Sequence, residues 1–174
     1  NDIGKLLIKR FNVKSVFRKS NISGELRTPN LKKIAGKGTV TIHKENGCLF
    51  KLDVSKVMFS KGNVFERGRI VPGESDVIVD MFSGVGQFCI SIAKKNPSCM
   101  IYAIEKNPVA VKFLKENIEL NRIRNIEVIE GDCRNIRLRE KVDRVIMGYL
   151  PGTGKFLSAG FGFLKQRGII NFHN

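Results

Sequence analysis

The sequence predicts an α/β protein: a parallel sheet with helices on both faces, preceded by a small basic α+β domain. From Ile78 onward, short runs of β-branched residues alternate with segments of helical spacing. At 77–88 the stretch VIVDMFSGVGQF passes from a strand through two glycines into a helix. Positive charge is concentrated in the first 70 residues. Strand–helix alternation implies parallel strands joined by right-handed crossovers, a Rossmann-like arrangement.

The elements of the sheet domain follow from these patterns. Pro108 suits the first turn of the clearest helix, in which Val111, Leu114 and Ile118 recur at helical spacing. We expect strands at 77–82, 100–105, 126–131, 143–148 and 168–173, and helices near 86–95, 108–121 and 155–166. Because a domain of this type normally carries more strands and the chain does not begin with Met, we expect a fragment that is truncated at its C-terminus.

The first 70 residues predict a separate small domain. Apolar and polar residues alternate on both sides of Glu45-Asn46-Gly47, which is a hairpin signal. We expect a helix at 4–11, a strand at 14–19, a hairpin over 38–54 and a short helix at 63–70. The stretch VPGESD at 71–76 has no periodicity and contains Pro and Gly, so it predicts a boundary. The predicted domains are therefore residues 1–70 and residues 71–174.

The charge is distributed unevenly between these two parts. The net charge is +15, and residues 1–70 hold 16 Lys or Arg against 5 Asp or Glu. Residues 71–174 hold 15 against 11. A basic domain beside a nearly balanced one predicts a module that contacts a polyanion beside a catalytic one, and nucleic acid is the favoured partner.

Several classes of protein and site are disfavoured. No stretch approaches the roughly 18 apolar residues of a membrane span, and no signal-peptide pattern opens the chain. The four cysteines form no CxxC pair and there are only two histidines, so we expect free thiols and no metal site. The prediction is a cytoplasmic protein without a membrane partner or an obligate protein partner.

The glycine turn predicts the cofactor. Gly84 and Gly86 begin a dinucleotide-like pattern, but Cys89 stands in place of the third glycine. Asp80 closes the strand before the turn, where a phosphate would lie in a dinucleotide site. Glu105 and Asp132 close the next two strands, at the same edge of the sheet. Three acids there disfavour an anionic ligand and favour S-adenosylmethionine, which has no phosphate and carries a sulfonium.

The end of the fourth strand bears on the reaction. S-adenosylmethionine can donate its methyl group or its 3-amino-3-carboxypropyl arm, depending on which carbon lies in line with the acceptor. Methylases of base nitrogens usually carry Asn or Asp there, followed by Pro. Gly148 occupies that position and offers no side chain, while Tyr149 can stack on a base.

Five segments resemble a family of tRNA-modifying enzymes that act beside the anticodon of phenylalanine tRNA. They are KVMFSKGNVFER (56–67), VDMFSGVGQF (79–88), YAIEKNPVAVKFLKENIELN (102–121), GDCR (131–134) and DRVIMGYL (143–150). The resemblance covers about residues 40–174 well and the first 40 loosely. It implies an S-adenosylmethionine-dependent transferase whose partner is tRNA, with tRNA(Phe) and its anticodon stem-loop expected.

The family has two branches. One methylates guanine at N1, and the other is the wybutosine-synthesising aminocarboxypropyltransferases, which modify a carbon of a wyosine-type base. The methylase branch carries Asn and a Pro-containing turn after the fourth strand, so Gly148-Tyr149 resembles the second branch. The segment GIINFHN at 168–174 also resembles that branch. Aminocarboxypropyl transfer is therefore the first hypothesis and guanine-N1 methylation the alternative. A third is an RNA-binding protein that keeps the fold without activity.

The resemblance also implies roles for individual residues. Ser60 and Arg67 would reach the amino-acid tail of the cofactor, for which a guanidinium fork suits a carboxylate. Glu105 would hold the ribose, and Asp132 with the Cys133 backbone the adenine. The full predicted cofactor-binding set is Ser60, Arg67, Asp80, Phe82, Gly84, Gly86, Glu105, Lys106, Asp132, Cys133 and Gly148. No compelling general base is present, and His173 and Tyr149 are weak candidates for catalytic residues.

Overall fold

The computed structural model describes residues 2–62, 64–150 and 152–172. Its helices and strands agree in order and type with most of the predicted ones. In chain order they are α1 (Asp2–Phe11), β1 (Ser15–Ser23), β2 (Thr28–Gly36), β3 (Val40–Glu45), β4 (Cys48–Asp53), α2 (Val64–Arg69), β5 (Val77–Asp80), α3 (Cys89–Lys95), β6 (Met100–Glu105), α4 (Pro108–Leu120), β7 (Ile126–Glu130), β8 (Val142–Met147), a 3₁₀ turn (Thr153–Phe156), α5 (Leu157–Phe163) and β9 (Leu164–Phe172).

The central sheet has five strands in the order β7-β6-β5-β8-β9, and each neighbouring pair is parallel. The chain runs outward from β5 through β6 to β7, and then returns to the other side of β5 for β8 and β9. The strand order therefore reverses between β5 and β8. In an open parallel sheet a ligand binds outside the carboxyl ends of the strands at such a reversal.

Both faces of this sheet are covered. On one face α3 and α4 pack over a core that includes Ile78, Ile101 and Leu114, all fully buried. On the other face Val79 and Val145 pack with the apolar side of α5. The predicted Rossmann-like fold class is confirmed. None of the described helices is long and apolar enough to cross a bilayer.

The hairpin formed by β3 and β4 is attached to α4 through two asparagine side chains. Asn117 Oδ1 accepts from the N–H of Lys51 at 2.7 Å, and Asn117 Nδ2 donates to the carbonyl of Lys51 at 3.0 Å. Asn121, one turn later, makes the same pair of bonds to Leu49, at 2.8 Å and 2.7 Å. The two side-chain amides form hydrogen bonds with the N–H and C=O groups of β4, as a neighbouring strand would. The predicted domain boundary between residues 70 and 71 stays a prediction. The hydrogen bonds of Asn117 and Asn121 connect residues on the two sides of this boundary.

The structure adds a strand that the sequence pattern did not predict. Besides the expected strand near 14–19, β2 pairs with β1 in an antiparallel ladder with two register shifts. Pro29 and the pair Lys32-Lys33 interrupt the alternation of β2, which hides the strand from pattern analysis. Pro is tolerated here because the sheet has only two strands, so both are edges. Helix α1 packs against β2 through Gly4, where an added Cβ would lie 2.6 Å from the Cβ of Ala35.

The last helix and strand also differ from expectation. A helix was expected to reach residue 166 and a strand to start at 168, but the helix ends at Phe163 and β9 starts at Leu164. Leu164 already has extended backbone angles, with ψ of 148°. No loop separates the two elements, and a register shift in the pairing of β8 with β9 absorbs the extra length.

Asn117→Ala is expected to lower the free energy of unfolding by about 3 kcal/mol, because it leaves the Lys51 and Val85 backbone groups without partners. Urea denaturation measures the change. Glu119→Ala, on the exposed side of the same helix, is the control and is expected to change stability by less than about 0.5 kcal/mol. Equal effects of the two substitutions would contradict the role of Asn117 in holding the hairpin.

Candidate functional site

A cavity of about 970 Å³, partly open to solvent, lies at the carboxyl ends of β5, β6 and β8. This is the position that the strand reversal predicts. Its wall includes eight of the eleven residues predicted to bind a cofactor, and also Tyr149. The eight are Ser60, Phe82, Gly84, Glu105, Lys106, Asp132, Cys133 and Gly148. The other three, Arg67, Asp80 and Gly86, do not line the cavity.

Glu105 organises the glycine turn at the centre of this wall. Its Oε2 accepts from the N–H of Gly84 at 2.7 Å, and its Oε1 accepts from the N–H of Asn107 at 2.7 Å. Burial raises the pKa of this carboxyl. In a dinucleotide site the N–H groups of the turn bind a pyrophosphate, whereas here the N–H of Gly84 is already bound to a carboxylate. The turn is therefore built for a ligand without a phosphate at this point.

Gly86 serves the turn and the packing beneath it. Its φ is +99°, and an added Cβ would lie 2.4 Å from Cδ1 of Ile90. Only glycine satisfies both the backbone conformation and the close contact. Gly86 thus has a structural role that does not depend on a ligand, and its predicted contact with the ligand stays a prediction.

Asp80 lies beneath the glycine turn and is 1% exposed. Its Oδ1 accepts from the N–H of Phe82 at 3.3 Å, and its Oδ2 has no hydrogen-bond partner among the described residues. Burial raises the pKa of Asp80 to about 7, and the nearby Glu105 contributes in the same direction. From the sequence, Asp80 is expected to face the ligand. In the structure it is buried and does not line the cavity, so a direct contact with the ligand stays a prediction.

Asp132 is the centre of an ion-pair network at the other end of the cavity. It accepts from Arg134 and Lys106, at 2.5 Å and 3.1 Å. Hydrogen bonding from Arg134 holds the pKa of Asp132 well below its usual range. Glu25 joins both cations, at 2.9 Å to Lys106 and 3.0 Å to Arg134. This end of the cavity therefore keeps a permanently charged carboxylate.

Glu25, Leu26 and Arg27 form the tip of the β1–β2 hairpin and line the same cavity. The guanidinium carbon of Arg27 lies 5.3 Å from the centre of the Tyr149 ring, and the Tyr149 hydroxyl donates to the carbonyl of Glu25 at 3.3 Å. The sequence pattern does not predict that these residues belong to the site. Gly24 at φ +68° and Arg27 at φ +53° mark a turn, but nothing in the sequence says where the tip docks.

Arg67 is 1% exposed and is bound to a carboxylate of this chain. Its Nε and Nη2 donate to the two carboxylate oxygens of Glu45, at 2.7 Å and 2.9 Å. Burial acts to raise the pKa of Glu45, but the bonds from Arg67 outweigh it and the pKa is lowered. Nη1 donates to Oε1 of Gln87 at 3.2 Å, and the same oxygen accepts from the N–H of Ser60 at 3.2 Å. Arg67 therefore does not line the cavity itself, but it donates to Gln87, which does.

Aromatic rings form one wall of the cavity. The ring centres of Phe82 and Tyr149 are 5.0 Å apart, and those of Phe82 and Phe156 are 4.9 Å apart. Gly148 precedes Tyr149, and a Cβ at this position would lie 3.2 Å from Cε2 of Phe88. The wall therefore combines flat apolar rings with a backbone position that carries no side chain.

Two predictions concern the remaining chemistry. His173, a weak candidate for a catalytic residue, lies outside the described residues. Among residues 2–62, 64–150 and 152–172, no group of three or more His, Cys, Asp or Glu side chains is arranged to hold a metal ion. All four cysteines are free and buried.

Comparison with known proteins identifies the family. Residues 41–174 match the TRM5/TYW2 methyltransferase domain, and residues 1–39 match the TYW2 N-terminal domain. The chain belongs to the TRM5/TYW2 methyltransferase family. The family inferred from the five sequence segments is therefore confirmed.

Relatives in both branches of the TRM5/TYW2 family are similar to this chain. The tRNA(Phe) (4-demethylwyosine(37)-C(7)) aminocarboxypropyltransferase of Methanocaldococcus jannaschii is 49% identical over 170 residues, covering 96% of this chain and 68% of the relative. The tRNA (guanine(37)-N(1))-methyltransferase Trm5b of Pyrococcus abyssi is 42% identical over 177 residues, covering 99% and 52%.

Two solved structures represent the same TRM5/TYW2 branches. M. jannaschii TYW2 in complex with AdoMet matches at a TM-score of 0.76 and 51% identity, covering 82% of this chain and 66% of that chain. The complex of aTrm5 and tRNALeu matches at 0.89 and 40% identity, covering 97% and 51%. This chain therefore spans about two thirds of the M. jannaschii TYW2 proteins compared here and about half of the two Trm5 proteins.

Arg67→Met is expected to lower the free energy of unfolding by about 3–5 kcal/mol, because it leaves the buried carboxylate of Glu45 without its main partner. The double variant Arg67→Met/Glu45→Leu is expected to recover much of this loss. Arg69→Met is the control: its ion pair with Glu66 is exposed, and the expected change is below about 1 kcal/mol. Chemical denaturation of the three variants measures the differences. A similar loss for Arg67→Met and Arg69→Met would show that the buried pair has no special role.

The raised pKa of Asp80 predicts a pH-dependent stability. The unfolded chain releases this proton near pH 4 and the folded protein near pH 7, so folding loses stability as pH rises between these values. Asp80→Asn removes this loss, so its free energy of unfolding relative to the wild type should be higher at pH 8 than at pH 5. Asp143→Asn is the control, because Lys165 lowers the pKa of Asp143 and both states are ionised throughout this range. A constant difference between Asp80→Asn and wild type, measured by urea denaturation, would mean that Asp80 is already ionised at pH 5.

Proposed function

We propose that this protein transfers the 3-amino-3-carboxypropyl group of S-adenosylmethionine to a wyosine-type modified guanosine beside the anticodon of tRNA(Phe). The reaction is a step of wybutosine biosynthesis. Among the relatives compared above, the aminocarboxypropyltransferase of M. jannaschii has the higher identity. Gly148 is the residue that favours transfer of the aminocarboxypropyl group over transfer of the methyl group. It lines the cavity between the glycine turn and Tyr149 and places no side chain there.

The cavity fits an adenosyl cofactor with a positive charge. The carboxylates of Glu25, Glu105 and Asp132 line it, together with apolar side chains such as Met81 and Phe82. The Glu105 carboxylate accepts hydrogen bonds from two backbone N–H groups. Its remaining lone pairs can accept hydrogen bonds from the hydroxyls of a ribose. Asp132 and the backbone of Cys133 would hold the adenine. The N–H of Gly84 is already bonded, which disfavours a ligand with a phosphate at the turn.

The amino-acid tail of the cofactor would lie at the end of the cavity formed by Ser60 and Gln87. Both line the cavity, and the side-chain oxygen of Gln87 is held by two donors, Arg67 and the N–H of Ser60. We infer that Arg67 positions Gln87 and does not clamp the carboxylate of the tail itself. The buried pair with Glu45 keeps the guanidinium in place for this purpose.

The residues of this chain contribute more by positioning the cofactor and the acceptor base than by acid–base chemistry. Bound S-adenosylmethionine supplies an electrophilic carbon beside its sulfonium. Tyr149 would stack on the acceptor base, with Arg27 above its ring. Since Gly148 offers no side chain to accept a hydrogen from a ring nitrogen, the site favours an acceptor that does not need that bond. Alkylation at carbon releases a ring proton, for which His173 remains a candidate acceptor.

The basic N-terminal part is proposed to contact tRNA. Residues 1–70 carry 16 Lys or Arg against 5 acids, and the hairpin tip of this part reaches the cavity. The anticodon stem-loop as the site of contact, and the cytoplasm as the location, both follow from the proposed substrate.

A second candidate function is guanine-N1 methylation of tRNA at the same nucleotide. It is favoured by the TM-score of 0.89 to aTrm5 and by the 42% identity to a guanine-N1 methyltransferase. The two functions use the same fold and cofactor, and they differ in the part of the cofactor that is transferred.

The products of the reaction distinguish these functions. With S-adenosylmethionine and tRNA(Phe) carrying 4-demethylwyosine, the wild-type protein is expected to release 5′-methylthioadenosine in an amount equal to the modified tRNA. Liquid chromatography with mass spectrometry measures both. The control substrate is the same tRNA with unmodified guanosine, which should release neither adenosyl product. S-adenosylhomocysteine released with the unmodified tRNA, without 5′-methylthioadenosine from either substrate, would contradict the proposal and support methylation, because only unmodified guanosine has a free N1. Absence of any S-adenosylmethionine binding in calorimetry would support the non-enzymatic alternative.

A further inference from the structure

A second cavity lies on the α5 side of the sheet. It encloses about 1340 Å³ of empty space open to solvent, between the segment 133–141, which leads from β7 to β8, and helix α5. We call it the basic groove. Its lining residues are Cys133, Arg134, Ile136, Arg137, Leu138, Arg139, Glu140, Lys141, Lys155, Ser158, Ala159, Gly162 and Phe163.

The basic groove gathers five cationic side chains around one acid. The cations are Arg134, Arg137, Arg139, Lys141 and Lys155, and the acid is Glu140. Glu140 accepts a hydrogen bond from the Tyr102 hydroxyl at 3.3 Å and forms no ion pair within the described part of the chain. Of the five cations, only Arg134 forms an ion pair with a described carboxylate. The other four cations outnumber the single acid of the groove, and such an excess of like charge creates a site of positive potential.

Most of these cations keep donors free for a ligand. Within the described residues, Arg137 donates hydrogen bonds only through Nη1, to the carbonyls of Arg134 and Ile136. Lys141 donates to the carbonyl of Gly162. The side chains of Arg139 and Lys155 have no hydrogen bond to any residue of the described ranges. Guanidinium groups with free donors bind phosphate oxygens in a two-point geometry.

The basic groove adjoins the cavity at the carboxyl ends of β5, β6 and β8, which we call the cofactor cavity. Cys133 lines both cavities, and Arg134 stands between them. Arg134 lies over Phe156 of the aromatic wall, with its guanidinium carbon 5.1 Å from the ring centre, while its donors hold Asp132 and Glu25. A nucleotide stacked at Tyr149 would therefore have neighbours within reach of the groove.

We propose that the basic groove binds backbone phosphates of the RNA strand that flanks the nucleotide being modified. The inference rests on the proposed tRNA-modifying function and adds a second RNA-contacting surface, on the sheet domain itself. The groove offers cations to phosphates and apolar side chains, such as Leu138 and Phe163, to the flanking sugars and bases. Lys112, Lys115 and Arg124 carry the same charge on or beside α4, across the sheet, and line neither cavity.

The experiment compares two variants with equal loss of charge. The groove variant is Arg137→Gln/Arg139→Gln/Lys155→Gln, and the control is Lys112→Gln/Lys115→Gln/Arg124→Gln. All six side chains belong to exposed residues, and none lines the cofactor cavity. The affinity for tRNA(Phe) is measured between about 50 and 200 mM salt, and that for S-adenosylmethionine by calorimetry.

The groove variant is expected to flatten the slope of log affinity against log salt by about 0.7 for each phosphate that it no longer neutralises, or about 2 in total. Its affinity for S-adenosylmethionine should equal that of the wild type, and the control variant should keep the wild-type slope. An unchanged slope in the groove variant, or an equal change in both variants, would overturn the proposal.

Binding of small anions and turnover of the tRNA are measured separately. Inorganic phosphate and adenosine diphosphate are titrated against wild type and groove variant at low salt. If the variant loses binding of these small anions but keeps its tRNA slope, the groove holds a free phosphate compound and the RNA proposal fails.

The wild-type product assay is run on the same tRNA. Absence of 5′-methylthioadenosine there rejects the proposed reaction, whereas the slopes still decide whether the groove binds RNA.

Discussion

The cofactor cavity depends on the contact between the Glu105 carboxylate and the backbone of the glycine turn. Glu105 ends β6, and the turn follows β5, its direct neighbour in the sheet. Two hydrogen bonds of 2.7 Å hold Gly84 and Asn107 to the same carboxylate. The turn is therefore held by a side chain from the next strand, and its N–H group is not left to bind an anion. This explains how a glycine turn like that of dinucleotide enzymes can serve a ligand of opposite charge.

The N-terminal part completes the cavity that the sheet begins. The hairpin tip contributes Glu25 to the ion-pair network around Asp132 and Arg27 to the face of Tyr149. The contacts at Asp132 are exposed ion pairs, which contribute little stability individually and weaken with salt. The same carboxylate, Asp132, therefore lines the cavity and shares its two cationic partners with the hairpin tip.

Arg67 illustrates how burial changes the role of a residue. A guanidinium in a motif near a cofactor suggests direct binding of a carboxylate, and Arg67 does bind one, that of Glu45. Phe59 and Phe88 lie against its planar group, with ring centres 5.5 Å and 5.9 Å from its central carbon. An arginine enclosed in this way is fixed in place, and it donates to Gln87, which lines the cavity. A substitution of Arg67 therefore removes buried contacts with Glu45 as well as the contact with Gln87.

Local patterns in the sequence determined the strand–helix alternation, the glycine turn and the acids that close successive strands. These features depend on residues close together in the chain, and they were enough to predict the fold class and the family. Of the eleven residues predicted to bind the cofactor, eight line the cavity. Only the tertiary structure decided that Asp80 is buried outside the cavity lining, that Arg67 is paired with Glu45 and that the hairpin tip reaches Tyr149. Each of these depends on contacts between distant segments, and Arg67 and Glu45 are 22 residues apart. The spacing of residues along a chain indicates which edge of a sheet they reach, but it does not say which of them face solvent there and which are covered by another segment.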